Sequence, residues 1–343
     1  MGLDSNNETF DISILIRVRN ESKALQRLLD SLKRQDFEGA FEVIVIDNES
    51  DDNSVKVALE NGAQVFTLPR SLFSYGRAIN VGIKRCRSKL VVLLSAHVCP
   101  QENSFLDMVF SKMGTHLNID AMYFKQIPFQ EIGDEEKLRF SIFPKESCVI
   151  DKDSVAKLVG IGQCLYKASY FSNSACVLRK NAVENNSMRD LPYSEENAFA
   201  LDLILQGKCL LYSTNPVVYY EGPISTRRLY DQEFRRTVAE KILENKYGSY
   251  FAVTNNKYLE IFISLLNVII IPIRYLKIIF KLVCFKNYTL TSRSFLYDFY
   301  SIRCPLARLN GIFNWKKFIK SFEVDISKLE EANAKTHEIK SNY

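Results

Sequence analysis

A chain of 343 residues, 47% of them hydrophobic, is long enough to bury one large core or two moderate ones. Its net charge of +5, from 45 basic and 40 acidic side chains, is too slight to argue for a nucleic-acid partner, and no segment matches a nucleic-acid-binding module. Eight cysteines are scattered without a CxxC pair or metal-ligand spacing, which argues against a disulfide framework or a zinc cluster. Cys86, Cys176 and Cys209 lie among apolar residues and read as small core side chains. The polar, acidic start MGLDSNNETFD has no signal-peptide pattern, and Asn6 stands where N-myristoylation requires Ser or Thr, so the reading is a cytoplasmic protein with reduced cysteines.

The first predicted element is a buried strand. Ile12, Ile14, Leu15 and Ile16 form a short apolar run that ends in Arg17-Val18-Arg19-Asn20-Glu21. A helix follows with Leu25, Leu28, Leu29 and Leu32 on one face, then a second strand from Phe41 that closes on Asp47-Asn48. Ser50, Asp51 and Asp52 are each suited to cap the next helix. A third strand spans 64–68, and in FSYGRAINVG Gly76 precedes a helix carrying Arg77, Asn80 and Gly82. The fourth strand, 90–94, runs into the polar triplet Ser95-Ala96-His97. Strands alternating with helices imply a parallel α/β sheet, and polar atoms just past its strand ends sit where such sheets bind ligands.

Residues 131–168, with EIGDEEK and KESCVIDKDS, read as a mobile polar insertion. Tyr170-Phe171-Ser172-Asn173 then leads into a small-residue strand, SNSACVLRK. Glu195 and Glu196 begin a helix whose Phe199, Leu203 and Ile204 face the core, and two carboxylates at a helix start gain from its dipole. After the strand PVVYY come Glu221 and Gly222. The last hundred residues change character. Their longest uncharged run, 261–273, is too short for a membrane span of about 20 residues. Arg274, Lys277, Lys281 and Lys286 follow it, a pattern that fits either an interfacial helix on an anionic leaflet or a hairpin packed on protein. GIFNWKKFIKSF repeats the basic–aromatic mix, and 325–343 are polar and read as frayed.

In order, the segments IRVRNE, VIDNESDD, FSYGRAINVG, VVLLSAHVCP, YFSNSACVLRK and LPYSEENAFALDLILQGKCLLYS resemble the family 2 inverting glycosyltransferases of GT-A fold, over residues 10–240. FSYGRA and SAHV are similar to a subgroup described as rhamnosyltransferase-like. The resemblance implies a mostly parallel central sheet flanked by helices. It implies a nucleotide-binding half over 1–105, an acceptor-binding half over 106–245, and a helical C-terminal region over 246–343 that meets a membrane or a partner. It also implies a UDP-, dTDP- or GDP-linked sugar as donor, a glycan or lipid-linked saccharide as acceptor, and Mn2+ or Mg2+ as a candidate cofactor. The location implied is the cytoplasm, peripheral at the inner face of the cytoplasmic membrane.

Residue by residue, the resemblance puts the nucleotide-binding aspartate at Asp47, which otherwise reads as a helix cap. Arg17, Arg19 and Asn20 line the same pocket, with Arg19 alternatively a solvated charge. Arg77 and Asn80, in the first turns after Gly76, suit phosphate or base contacts, or simply start a helix. Ser95 and His97 fall where most relatives carry an Asp-x-Asp motif, leaving His97 as metal ligand, diphosphate donor or structural side chain. Asn173 borders the sugar or closes a turn. Glu196 aligns with the general base, usually Asp, and Glu195 is the second candidate.

Two departures stand out. The subgroup has histidines after the strand that ends at Tyr220, where this chain offers Glu221 as a replacement metal ligand and Arg227, Arg228, Arg235 or Arg236 as diphosphate partners. Glu49 replaces a common Gly, which is tolerated if the turn needs no positive φ. Two readings follow: an inverting glycosyltransferase of surface polysaccharide assembly, or a partner subunit of the same fold that binds nucleotide sugar but has lost the chemistry.

Overall fold

Burial on both faces explains why the strands read as near-continuous apolar runs. In the computed structural model, which describes residues 9–129, 140, 142–161, 163–191, 194–221, 226–251 and 310, β1 (Ile12–Val18) is buried along its whole length. Ile12, Ile14 and Ile16 point into one hydrophobic core and Leu15 into the other. After β1 the chain forms α1 (Ser22–Lys33), β2 (Phe41–Asp47), α2 (Ser54–Glu60), β3 (Gln64–Thr67), α3 (Tyr75–Ile83), β4 (Leu90–Ser95) and β5 (Val98–Pro100). There follow α4 (Phe105–Thr115), β6 (Ile119–Pro128), β7 (Cys148–Ile150), α5 (Lys152–Gly160), α6 (Leu165–Ala168), β8 (Ala175–Arg179), α7 (Lys180–Asn185), α8 (Glu195–Leu205), β9 (Cys209–Tyr220) and α9 (Thr226–Tyr247).

The described strands make one nine-stranded sheet in the order β3-β2-β1-β4-β8-β6-β9-β5, with β7 also paired to β9. The parallel part is β3-β2-β1-β4, as the βαβ alternation predicts. Beyond it the sheet is mixed: β8 runs antiparallel to both β4 and β6, while β6 and β9 are parallel. This reversal matters for function. An antiparallel β8 brings its entry, not its exit, to the edge where β1, β2 and β4 end. Ala175 lies opposite Leu94, and Ser95 N donates to Ser174 O at 2.9 Å. The sheet is also a switch point, since β1 has β2 on one side and β4 on the other.

Several local expectations are refined. α3 begins at Tyr75, so Gly76 lies inside its first turn rather than before it, and Ser74 caps it by accepting from Arg77 N at 3.0 Å. The N-cap of α2 is Asn53, and it is Asp52 that accepts from Ser54 N, at 2.9 Å. The described part of 131–168 is not a loose polar insertion. β7 pairs with β9, α5 carries a capping box between Asp151 and Ser154, and Ile150, Val155, Leu165 and Tyr166 join the core. EIGDEEK lies outside the described residues. Cys86 and Cys176 are buried as expected, whereas Cys209 is only partly covered.

Among the described residues no helix is long and apolar enough to cross a membrane. The apolar–basic stretch after 257, the GIFNWKKFIKSF run and the tail 325–343 all lie outside the described residues.

Gly114 near the end of α4 offers a simple stability gain, because a Cβ there meets nothing within 4 Å. Gly114→Ala is expected to raise stability by about 0.5–1 kcal/mol, a rise of roughly 1 °C in Tm by calorimetry. An unchanged or lower Tm would contradict it.

Candidate active site

Strand ends define the site. β1 closes on Arg17 and Val18, β2 on Asp47 and β4 on Ser95, all side by side because Val18 pairs with Asp47 and Arg17 with Ser95. Asp47 is 2% exposed. Its Oδ2 accepts from Ser50 N at 3.1 Å, and its Oδ1 is buried without a hydrogen-bond partner among the described residues. An unpartnered buried carboxylate oxygen is costly, and it marks a place where a ligand donor fits. The helix-cap alternative fails for this side chain, since Ser50 precedes α2 by several residues.

Arg17, near the end of the neighbouring strand β1, is 8% exposed. Its Nη2 reaches Ser95 Oγ at 3.3 Å, Asn173 O at 3.1 Å and Asn173 Oδ1 at 3.2 Å. Nε and Nη1 are buried without partners, and the guanidinium sits 5.5 Å from the centre of the Tyr75 ring. Asn173 donates through Nδ2 to Glu195 Oε1 at 2.7 Å. Thus Arg17, Asp47, Ser95, Asn173 and Glu195 come together at one edge, as the sequence led us to expect.

The carboxylate pair opens α8, a helix buried on nearly all sides. Asn197 donates to the carbonyls of Tyr166 and Ser169, and Asp202 accepts from Tyr247 at 2.8 Å and Arg189 at 2.7 Å. Those bonds fix the helix along its length. Its N-cap, Ser194, has φ 64° in the left-handed region, an uncommon conformation for a residue with a side chain. Burial pushes the Glu195 carboxyl up, while Arg17, its own backbone N–H and Asn173 pull it back. Glu196 is pushed well above the usual carboxylate range, first by burial and then by the charge of Glu195.

His97 follows β4, and its Nδ1 faces the Glu21 carboxylate at 3.0 and 3.2 Å. Its ring meets Tyr220 edge to face at 5.0 Å. Glu21 went unnoticed in the sequence although it closes the IRVRNE motif; an acid one residue past the β1 turn was the available signal. Glu221 N donates to His97 O at 2.9 Å, so β9 returns beside the β4 turn. The Glu221 carboxylate pairs with the part-exposed Arg27. Among the described residues no group of three His, Cys, Asp or Glu side chains is placed to hold a metal ion. Mn2+ and Mg2+ favour several oxygen ligands, whereas this corner offers one imidazole already bonded to one carboxylate, so the described residues do not fit a divalent cation.

Arg77 and Asn80 both bond within the protein. Arg77 forms an ion pair with Asp190 at 2.8 Å and donates to Leu72 O at 3.1 Å. Asn80 bonds both Met188 N, at 2.9 Å, and Met188 O, at 2.7 Å. Both side chains thereby clamp the segment 188–190 that leads into α8. Arg19 is exposed, in accord with a solvated charge. Asn20 is exposed with φ 54°, and its Oδ1 accepts from Asp51 N at 2.7 Å, tying the β1 turn to the β2 turn. Glu49 has φ 48°, so the turn does need the left-handed region, against expectation. Arg70 supports it, donating from its backbone N to Glu49 Oε2 at 2.9 Å and from its guanidinium to Asp51. Of the candidate diphosphate partners, Arg235 is exposed and the side chains of Arg227, Arg228 and Arg236 lie outside the described residues.

The model of the family described as glycosyl transferase family 2 matches residues 13–184. Over 60 residues the chain is 42% identical to the 4,4'-diaponeurosporenoate glycosyltransferase of Staphylococcus haemolyticus (strain JCSC1435), a stretch that covers 18% of this chain and 16% of that protein. Among solved structures it is similar to the mannosyltransferase PcManGT from Pyrobaculum calidifontis in complex with GDP-Man and Mn2+, with 12% identity, a TM-score of 0.55 and 88% of each chain covered. S. aureus TarS is matched at 18% identity and a TM-score of 0.47, over 68% of this chain and 40% of that one. The chain thus spans well under two thirds of the length of the curated relative.

Proposed function

The chain belongs to glycosyl transferase family 2 and has the GT-A fold, and from that premise we propose that it transfers a sugar from a nucleotide-diphosphate donor to a hydroxyl of a glycan or lipid-linked saccharide, with inversion. The observation that carries this reading is the meeting, at one sheet edge, of an unpartnered Asp47 oxygen, unpartnered Arg17 N–H groups and the Glu195–Glu196 pair. Asp47 accepts from the base or ribose and Arg17 donates beside it. Glu196 takes the acceptor hydroxyl proton while that oxygen attacks the anomeric carbon. The bond from the anomeric carbon to the diphosphate oxygen breaks, its electron pair leaves with the nucleoside diphosphate, and a single displacement inverts the configuration.

A carboxyl raised by burial is the stronger base, which suits this task near neutral pH. The likeness of FSYGRA and SAHV to rhamnosyltransferase-like relatives supports a hexose or deoxyhexose as the transferred group. The apolar–basic stretch after residue 257 supports a peripheral place at the inner face of the cytoplasmic membrane, where a lipid-linked acceptor lies. A partner subunit without chemistry is less well supported, because both carboxylates are in place on a firmly held helix.

Calorimetric titration of the full chain with UDP, dTDP and GDP, each with and without Mn2+, tests the reading. One of the three is expected to bind with Kd of about 1–100 μM, corresponding to roughly 5–8 kcal/mol, and Asp47→Ala is expected to remove that binding. Failure of all three nucleotides under both conditions would overturn it. Binding that needs Mn2+ would show that residues beyond the described ones complete a cation site.

A further inference from the structure

We propose that Arg17 is a positioning residue that, through Asn173, holds Glu195 as the anionic half of the carboxylate pair, so that the last proton to leave the pair is that of Glu196 and the base is free only above that step. This rests on the reading of Glu196 as general base and adds what sets it. Asn173 uses both ends of its amide: Oδ1 accepts from Arg17 Nη2 at 3.2 Å, and Nδ2 donates to Glu195 Oε1 at 2.7 Å. With Oδ1 committed to the guanidinium, the amide can present only its donor to Glu195. Glu195 Oε1 therefore accepts, and an ionised carboxylate is the stronger acceptor for that N–H. Glu195 is itself 2% exposed, and a buried anion needs a nearby cation.

Arg17 supplies that charge. None of its hydrogen bonds goes to a carboxylate, since they end on Ser95 and Asn173. Its charge is balanced across the Asn173 amide. Asn173 does not bridge Glu196 to Arg17 in the same way; burial and then the Glu195 charge push Glu196 up, and its own backbone N–H and Arg17 pull it back less. The other groups facing the pair are Cys176 of β8, whose thiol burial keeps neutral, and Tyr75 of α3, packed on the guanidinium. Two adjacent carboxyls with unequal surroundings are thereby given different work.

The experiment reads thermal stability of the full chain against pH, so no substrate is required. A group that holds its proton more tightly folded than unfolded stabilises below its unfolded pKa, and that stability is lost as pH rises through the folded pKa. The wild type is expected to lose Tm through the upper proton loss of the pair, which lies above the usual carboxylate range. Glu195→Gln should move this step down by about one pH unit, because a like charge is gone, yet keep it above that of an ordinary glutamate. In Glu196→Gln the remaining step, that of Glu195, should lie lower still. Arg17→Met should raise the wild-type step by about one pH unit, and Arg17→Lys should bring it back toward the wild-type position.

Equal steps in Glu195→Gln and Glu196→Gln, or an unmoved step in a folded Arg17→Met, would overturn the proposal. Should Arg17→Met not fold, the difference between the two glutamine variants decides alone. The base assignment is separable from it. Full turnover in Glu196→Gln with the unequal steps intact would remove Glu196 from the chemistry while leaving the proton where the anchor puts it.

Discussion

Glu196→Gln is expected to lower turnover by about 10²–10⁴ while nucleotide affinity stays within roughly twofold of wild type. The amide keeps the size and most of the hydrogen bonding of the carboxyl but cannot accept the acceptor proton. At 1.36 kcal/mol per decade the loss amounts to about 3–5 kcal/mol of transition-state stabilisation. On the proposed reading the donor nucleotide is held by Asp47 and Arg17, at the ends of β2 and β1 rather than on α8, so binding and turnover should separate. A pH profile gives the companion result. A base must be unprotonated, and burial with the Glu195 charge raises Glu196, so turnover should climb as pH rises through a point well above that of a free glutamate. Rate measurements with the donor identified by calorimetry check both. Unchanged turnover in Glu196→Gln, at matched donor saturation, would falsify the assignment.

What the sequence made legible follows from what it encodes locally. Strand ends are marked by the change from apolar to polar residues, so Asp47 and Ser95 could be assigned to one edge before any coordinates. The pairing of β8 against β4 is what delivers Asn173, and no local pattern states that direction. Side-chain partners were less legible still. Arg77 looks like a phosphate ligand because it sits in the first turn of a helix, yet its partner Asp190 lies 113 residues away. Glu49 shows the same limit in the backbone: a turn that takes the left-handed region leaves no mark when the residue is not Gly or Asn. The pairing of Glu21 with His97 links residues 76 apart and was missed for the same reason. Such long-range pairs decide which polar side chains face a ligand and which serve as struts.

Those struts explain why Gly76→Ala should be the most damaging glycine-to-alanine change among the described residues. A Cβ at Gly76 would lie 2.3 Å from the backbone carbonyl oxygen of Arg189 and 3.0 Å from its carbon. Relief requires that segment 188–190 move, and it is held from two sides. Asn80 grips both backbone atoms of Met188, Asp190 is tied to Arg77 and Ser74, and the Arg189 side chain is bound to Asp202 of α8. The contrast with Gly82 is informative, since there the added Cβ meets the Leu15 side chain, at 2.4 Å, instead of backbone. Ala gains about 1 kcal/mol over Gly in a helix, as Gly114→Ala should show, but overpacking against a pinned backbone costs more. A net loss of about 2–3 kcal/mol is expected, read as a lower urea midpoint at constant m. Because 188–190 leads through Ser194 into Glu195 and Glu196, the displacement also reaches the base. Misplacement by about 1 Å costs on the order of 10²-fold in rate, so turnover should fall by that much even at temperatures where the variant remains folded. Asp190→Asn, which weakens the clamp without adding volume, should show the same loss of turnover at smaller cost in stability. A Gly76→Ala variant that melts and turns over like wild type would mean that segment 188–190 yields freely and does not set the position of Glu196.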